Sequence, residues 1–311
     1  MLAIFRALYE RFFQTRDNYL MSITLLDGGM GQEVTRRSGV APTPLWSTRV
    51  MLDNPEIVQS AHLDFINAGA DIITLNNYTA TPDRLTRDAT IDLLEPIHKT
   101  AIEIAHTAKR ESGRNDLLIS GCLPPLVASY KTDLALSEDK SYKRYMQLVE
   151  LQHGGVDMFM AETLGTIAEG RGAARAGLES GKPIWLSFTL DDDATGKLRS
   201  GEPLKDAILA VTELGIETVL INCSMPETVE RALDVLVEYS PRAGAYANGF
   251  QSIAALDAGG TVEGLKARKD LGPNEYADFA MNWVDRGLSI IGGCCEIGPA
   301  HIAELANRIE R

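Results

Sequence analysis

Cysteine, histidine and basic residues are scarce in this sequence, and each scarcity excludes a class of function. The 311 residues include only four cysteines and five histidines. So few cysteines in a long chain do not make the disulfide framework of a secreted domain, and they favour a reducing compartment, the cytoplasm. A net charge of −13 is the opposite of what a nucleic-acid partner requires.

Long apolar runs are also missing. No stretch approaches the roughly 20 apolar residues that cross a bilayer, so no membrane partner is expected. The first 20 residues are amphipathic, but charges interrupt them, and they lack the apolar segment of a secretory signal. We interpret residues 1–20 as an N-terminal extension of undetermined role and residues 21–311 as the folded domain.

Short β-rich apolar runs alternate with helical segments from residue 23 onwards. The runs predicted as strands are Ile23–Asp27, Asp71–Asn76, Leu117–Gly121, Met158–Glu162, Ile184–Thr189, Thr218–Asn222, Ala243–Tyr246 and Leu288–Gly292. Eight strand–helix units in about 290 residues predict an α/β fold, a single (β/α)8 TIM barrel. A doubly wound sheet is the alternative, but no Gly-x-Gly-x-x-Gly follows the first strand, so nucleotide binding is not expected.

Three of the four cysteines follow the sixth and eighth predicted strands. Cys223 ends one, and the adjacent pair Cys294-Cys295 ends the other. Because the loops after barrel strands share one face, these cysteines are expected to meet. Three thiolates would hold Zn²⁺ with one coordination position open, as catalytic zinc requires. Gly292 and Gly293 are expected to give the backbone the flexibility that lets neighbouring cysteines share an ion.

Other interpretations of the cysteines remain. Any single one of them is more often a small buried core residue than a ligand, and for Cys122 we prefer that interpretation. A disulfide is the other alternative for the clustered cysteines, although a reducing compartment disfavours it. The five histidines all fall in helical segments, so neither a histidine-based zinc site nor a Ser-His-Asp triad is expected.

Two carboxylates, Asp27 and Glu162, end otherwise apolar strands. A helix cap or a solvated loop is the ordinary explanation for one acid at such a position. Two of them beside a metal indicate recognition of an ammonium group. A zinc ion with three thiolate ligands is a poor activator of water, but it can hold a further thiol as thiolate. The pattern therefore favours alkyl transfer to the sulfur of a small amino-acid thiol.

These motifs resemble those of the homocysteine S-methyltransferase family over residues 23–309. The resemblance rests on Asp27-Gly28-Gly29-Met30-Gly31, Asn77-Tyr78-Thr79-Ala80-Thr81-Pro82, Glu162-Thr163, Ile221-Asn222-Cys223 and Gly292-Gly293-Cys294-Cys295. It implies a (β/α)8 barrel that binds zinc through Cys223, Cys294 and Cys295 and transfers a methyl group to homocysteine to form methionine.

The resemblance also assigns the substrate site. It implies that Asp27 and Glu162 hold the amino group of homocysteine and that the backbone near Gly28 and Gly29 helps to place the amino acid. Asn248 corresponds to a position that can contact zinc when substrate is absent. The remaining motif residues assigned to substrate binding are Asn77, Tyr78, Thr163 and Asn222.

The implied partners are small molecules, homocysteine and a methyl donor. Because no cobalamin or folate domain is appended, a sulfonium donor is favoured, S-methylmethionine or S-adenosylmethionine. Betaine or another onium compound is the alternative donor, and Tyr78 is an aromatic candidate for contact with the onium group. A non-catalytic barrel with a structural zinc is the alternative of a different class. Both a monomer and a homo-oligomer are compatible with the sequence.

Overall fold

Eight short parallel strands form the centre of the structure, a computed structural model that describes residues 23–309 apart from 194, 257, 262 and 263. The strands are β1 Thr24–Leu25, β2 Ile72–Thr74, β3 Leu118–Leu123, β4 Met158–Leu164, β5 Ile184–Phe188, β6 Thr218–Asn222, β7 Arg242–Tyr246 and β8 Ile290–Ile291. They follow one another in the order β1-β8-β7-β6-β5-β4-β3-β2. A bridge between Leu26 and Ile72 joins the remaining edges. The predicted (β/α)8 barrel is confirmed.

Eleven α-helices surround the sheet in the described part of the chain. They are α1 Met30–Ser38, α2 Trp46–Asp53, α3 Pro55–Asn67, α4 Pro82–Asp88, α5 Leu94–Ser112, α6 Glu138–Gln152, α7 Ile167–Glu179, α8 Leu204–Thr212, α9 Pro226–Tyr239, α10 Pro273–Asp285 and α11 Pro299–Arg308. Five of them begin with proline, which lacks only an N–H that a first turn leaves unpaired. None of these helices has the length and apolarity of a bilayer span. The predicted extension, residues 1–20, lies outside the described residues.

The core has two parts. The larger lies between the sheet and the helices. The smaller fills the inside of the barrel, and its members are Leu26, Ile72, Met158, Met160, Trp185, Leu220, Tyr246 and Ile290. At the amino ends of the strands, Arg242 donates to Thr24 Oγ1 at 2.8 Å and to Ser289 Oγ at 3.2 Å. This end of the barrel is therefore filled, and a cavity remains at the other end.

Candidate active site

A cavity of about 110 Å³ opens at the carboxyl ends of the strands. The predicted residues Asp27, Glu162, Cys223, Cys294 and Cys295 all border it. They come from the ends of β1, β4, β6 and β8, which the closed barrel brings to one face. The cavity therefore unites the sulfur and carboxylate groups that the sequence places far apart.

The sulfur atoms of Cys223, Cys294 and Cys295 lie within 4.8 Å of one another. The Sγ of Cys295 is 3.7 Å from that of Cys223 and 4.0 Å from that of Cys294. Two sulfur ligands of a tetrahedral zinc ion, each about 2.3 Å from the metal, stand about 3.8 Å apart. The donor set and the two spacings that involve Cys295 fit a thiolate-bound zinc ion.

The structure differs from the expectation of three free thiols, because Cys223 and Cys294 are joined in a disulfide. Their Cα atoms are 5.6 Å apart, a usual spacing for a disulfide. Cys295 is free, and burial raises the pKa of its thiol to about 12, with the nearby charge of Glu296 adding to the rise. Reduction of the disulfide would be needed before all three sulfurs could bind one cation.

Hydrogen bonds from outside the cluster fix the two cysteine-bearing loops. The Cys223 N–H donates to Tyr246 O at 3.3 Å, and the Cys294 N–H donates to Ala247 O at 2.9 Å. The buried phenol of Tyr276, on α10, donates to Gly292 O at 2.6 Å and accepts from the Ala247 N–H at 3.0 Å. The outer helix layer thus holds the ends of β7 and β8 together.

Gly28 and Gly29 allow the β1–α1 loop to touch the loop that carries the cysteine pair. A Cβ atom on Gly29 would lie 2.5 Å from the carbonyl oxygen of Cys294, and one on Gly28 would overlap the carbonyl of Ile297. Any larger residue at either position would push the two loops apart. These glycines therefore have a packing role beside the sulfur cluster.

The expected flexibility of Gly292 and Gly293 is not what the structure uses. Neither has a positive φ. A Cβ on Gly292 would lie 2.5 Å from the Cβ of Leu26, and one on Gly293 would overlap the side chain of Ile297. The unusual conformation belongs to Cys223 instead, with φ of 46°. Close packing is the physical reason for this glycine pair.

Asp27 and Glu162 are two acids without a cationic partner among the described residues. Asp27 is buried and Glu162 is half-buried. Desolvation raises the pKa of Asp27 to about 8, although its Oδ2 accepts a hydrogen bond from the Thr74 N–H at 2.8 Å, and the charge of Glu162 adds to the rise. Desolvation also raises the pKa of Glu162 above its ordinary value. A cation entering the cavity would favour the ionised form of both carboxyl groups.

Cys122 contributes to this site, although its sequence context favoured a plain core role. Its Sγ donates to Glu162 Oε1 at 3.0 Å, and the Tyr246 hydroxyl donates to Glu162 Oε2 at 3.4 Å. Both hydrogen bonds favour the ionised carboxylate. The sequence indicates this role only through the position of Cys122 at the end of the third strand, on the same face of the barrel as Asp27.

Comparisons with known proteins agree with this geometry. The family model described as homocysteine S-methyltransferase matches residues 24–309. The chain belongs to the homocysteine S-methyltransferase family.

Homocysteine S-methyltransferase of Escherichia coli is 30% identical over 92% of this chain and 95% of its own length. Homocysteine S-methyltransferase 1 of Arabidopsis thaliana is 26% identical over 92% and 93%. The metallated form of the E. coli homocysteine methyltransferase MmuM superposes with a TM-score of 0.77, at 27% identity over 93% and 96% of the two chains. The predictions of family and enzyme class are confirmed.

The family motif residues Asn222 and Thr163 lie just outside the cavity. The Thr163 N–H donates to Asn222 Oδ1 at 2.8 Å, and Asn222 Nδ2 donates to Thr163 Oγ1 at 2.9 Å. Asn222 Nδ2 is also 3.9 Å from Cys294 Sγ. Both side chains are buried and neither borders the cavity. In this structure they link β4 and β6 beside the sulfur cluster.

Of the next two motif residues, Tyr78 borders the cavity and Asn77 does not. The Asn77 amide donates to Nδ1 of His98 at 2.8 Å, and the His98 Nε2–H donates to Ala80 O at 3.0 Å. Asn77 therefore attaches the loop after β2 to helix α5. Its neighbour Asn76 has its side chain at the cavity wall instead.

Asn248, the possible fourth ligand, is buried and its amide oxygen is occupied. Oδ1 accepts from the Phe250 N–H at 3.0 Å. Nδ2 is a buried donor with no hydrogen-bond partner among the described residues. Since an amide binds metal through its oxygen, Asn248 would have to release Phe250 before it could ligate.

Strained backbone is concentrated around the cavity. Five residues other than glycine have a positive φ in the described chain: Trp46, Tyr130, Thr163, Cys223 and Glu296. Three of these border the cavity, and the other two directly follow Glu162 and Cys295. Such conformations cost free energy and cluster at functional sites.

Proposed function

We propose that this protein is a zinc-dependent S-methyltransferase that moves a methyl group from a sulfonium or onium donor to the thiolate of L-homocysteine, giving L-methionine. The observation that carries the proposal is the meeting of three sulfurs and two carboxyl groups in one cavity. The sulfurs supply a metal site, and the acids supply a site for the ammonium group of an amino acid.

Cys223, Cys294 and Cys295 would hold the zinc ion after reduction of the disulfide. When bound, zinc lowers the pKa of a coordinated thiol, so that homocysteine is held as its nucleophilic thiolate. Asn222, through its amide hydrogen near Cys294, would keep that ligand in place. The requirement for thiolates favours a reducing compartment such as the cytoplasm.

Asp27 and Glu162 would bind the ammonium group of homocysteine. An ammonium group would favour the ionised form of both acids, whose pKa values are raised in its absence. The backbone of Gly28 and Gly29, between Asp27 and the cysteine loop, would help to place the rest of the amino acid. Thr163, Asn77 and Asn222 would act by positioning the residues that border the cavity.

The transfer forms one bond and breaks another. A lone pair of the homocysteine sulfur forms the new carbon–sulfur bond, and the bond from the methyl group to the donor atom breaks. Its electron pair returns to the donor atom, so that a sulfonium sulfur becomes a neutral thioether and a quaternary nitrogen becomes a neutral amine. The thiol proton passes to water when homocysteine binds. We favour S-methylmethionine or S-adenosylmethionine as donor, with betaine or another onium compound as the alternative.

Alanine variants of the cluster test the metal site. Cys223→Ala, Cys294→Ala and Cys295→Ala, purified with reductant, should each lose zinc and form no methionine from homocysteine. Cys122→Ala is the matched control and should keep its zinc, because its sulfur lies outside the cluster. Methionine formation by a zinc-free triple variant would refute the proposal.

X-ray absorption on the reduced zinc protein tests the role of homocysteine. A further sulfur ligand should appear when homocysteine is added. Parallel assays with S-methylmethionine, S-adenosylmethionine and betaine identify the donor. An unchanged zinc environment would instead support a structural metal.

A further inference from the structure

Arg84, on α4, is a buried arginine whose hydrogen-bond acceptors are all neutral. Its Nε and Nη2 donate to Pro125 O at 3.2 and 3.1 Å, and Nη2 also donates to Ser129 Oγ at 3.0 Å. The residue is 4% exposed. Within the described ranges, no carboxylate lies within ion-pair distance of it. A buried charge without a counter-ion is unusual, since removing it from water costs free energy that only a paired anion offsets.

No acid near Arg84 forms an ion pair with it. Arg87 is paired with Asp88 through two hydrogen bonds, of 2.8 and 2.7 Å. Glu169 accepts from the Leu126 N–H at 2.9 Å. Burial lowers the pKa of Arg84 and the charge of Arg87 adds to the fall, while the charges of Glu169 and Asp88 oppose it from beyond ion-pair distance. The guanidinium therefore has no carboxylate in direct contact, and a ligand carboxylate would supply one.

Arg84 adjoins the main cavity. It lines a small cleft with Arg87, Trp46 and Ser129, and the last two also border the main cavity. Ser129 Oγ, which accepts from Arg84, is 2.9 Å from the hydroxyl of Tyr78. The guanidinium carbon is 5.3 Å from the centre of the Tyr78 ring, and that ring stacks on Trp46 at 5.9 Å. A continuous wall therefore connects the guanidinium with the cavity.

We propose that Arg84 and Ser129 form a carboxylate-binding subsite for the methyl donor. This inference rests on the proposed methyl transfer and requires a donor with both an onium and a carboxylate group. The two ends of such a donor find opposite partners, the onium near the acids of the cavity and the carboxylate at the guanidinium. Asp27 and Glu162 would repel the carboxylate of the donor, so a cationic group in the adjoining wall serves that end of the molecule.

A comparison of S-methylmethionine with its carboxamide tests the subsite, because the amide keeps the size and removes the charge. The wild-type enzyme should prefer the acid by ~10- to 100-fold in kcat/KM, the worth of a hydrogen bond to a charged group. Arg84→Gln should lose that preference and leave the KM for homocysteine unchanged. Arg87→Gln is the matched control, since Arg87 already has Asp88, and it should keep the preference.

Further measurements separate the possible failures. Isothermal titration of the wild-type protein with the acid and with the amide compares their binding affinities without turnover. This measurement tests the subsite even if Arg84→Gln does not fold. Equal affinity for the two compounds would overturn the subsite, and a raised KM for homocysteine in Arg84→Gln would assign the guanidinium to the other substrate. If the acid is preferred in binding but no methionine forms with any donor, the proposed reaction fails and the subsite stands.

Discussion

At the residue scale, the mouth of the barrel is a place where acidic groups hold their protons more tightly than in water. Burial raises the pKa values of Asp27, Glu162 and Cys295, which all border one cavity. A cation beside any of them would favour its charged form. The cavity is therefore suited to positively charged ligands, a metal ion on one side and an ammonium group on the other.

The free energy of unfolding should report the raised pKa of Asp27. Its pKa is about 8 in the folded protein against an ordinary value of 3.8. Between these values the folded state holds a proton that the unfolded chain has lost, so stability falls as the pH rises through this window. Asp27→Asn removes the titrating group and therefore this fall in stability with rising pH. Its stability relative to wild type should therefore be greater at high than at low pH, by at least about 1.4 kcal/mol, the equivalent of one pKa unit.

Urea denaturation of the substrate-free, metal-free protein near pH 5 and again above pH 8 measures the effect of Asp27→Asn. A stability difference that does not change with pH would show that Asp27 is ionised throughout. The same variant should bind homocysteine more weakly above pH 8, where the wild-type carboxylate is charged.

Cys122→Ala should raise the KM for homocysteine with little change in kcat. The variant removes the thiol that donates to Glu162, and the carboxylate loses one of two groups that orient it. We expect an increase of roughly 3- to 10-fold, because a thiol is a weak donor. Cys122→Ser restores a donor and should recover most of the loss in steady-state assays. A fall in kcat alone, with both variants equal, would contradict an orienting role.

At the element scale, the site depends on two loops whose backbones touch. The β1–α1 loop carries Gly28 and Gly29, and the β8–α11 loop carries the cysteine pair. Strands β1 and β8 are neighbours in the sheet, so the loops start side by side. Their separation sets the place of Cys294 and Cys295 relative to Cys223.

Gly29→Ala should weaken metal binding and destabilise the fold. A Cβ there would meet Cys294 O at 2.5 Å, and backbone on both sides would have to shift. Gly31→Ala is the matched control in the same motif. Its Cβ would lie 3.9 Å from the nearest atom, Ser47 Oγ, and alanine favours the helix. Zinc titration and thermal unfolding measure the difference between the two variants. Equal zinc affinity would show that the two loops can move apart without weakening the metal site.

Most of the fold could be predicted because each strand is an apolar run between turn residues. Three of the helices could not be predicted from the sequence. Helix α1 has Gly31 in its first turn, which weakens any helical pattern. Helices α2 and α4 span 8 and 7 residues, less than the roughly 11 that a period of 3.6 needs to show itself.

The site was predictable where it follows strand ends and not where it depends on tertiary contacts. Cys223 and Asp27 could be placed together because all parallel strands of a barrel end on one face. Which of Asn76 and Asn77 borders the cavity depends on an irregular turn after β2. Arg84 lies on the unpredicted helix α4, and its lack of a counter-ion is a property of the folded environment alone.

At the scale of the whole molecule, the first and last strands close the barrel. β1 begins at Thr24, and α11 ends at Arg308, close to the bounds of the family match at residues 24–309. We propose that residues 21–311 form one catalytic domain and that residues 1–20 add nothing to the active site.

Deletion of residues 1–20 tests this division. The shortened protein should keep kcat/KM for homocysteine within about 2-fold and its melting temperature within about 3 °C, the equivalent of about 2 kcal/mol for a chain of this size. Thermal unfolding and steady-state assays of the two forms check it. A large loss of activity at unchanged stability would assign the extension a part in catalysis.

The distance along the chain between the clustered cysteines affects when the metal site can be made. Cys223 and Cys294 are 71 residues apart. At about 5–20 residues per second, a ribosome reaches Cys294 roughly 4–14 s after Cys223. Strand β8, which completes the ring with β1, is also the last strand to be synthesised. The nascent chain therefore cannot assemble its three-sulfur cluster early, and a metal ion that needs all three sulfurs would bind only after translation has passed the final strand.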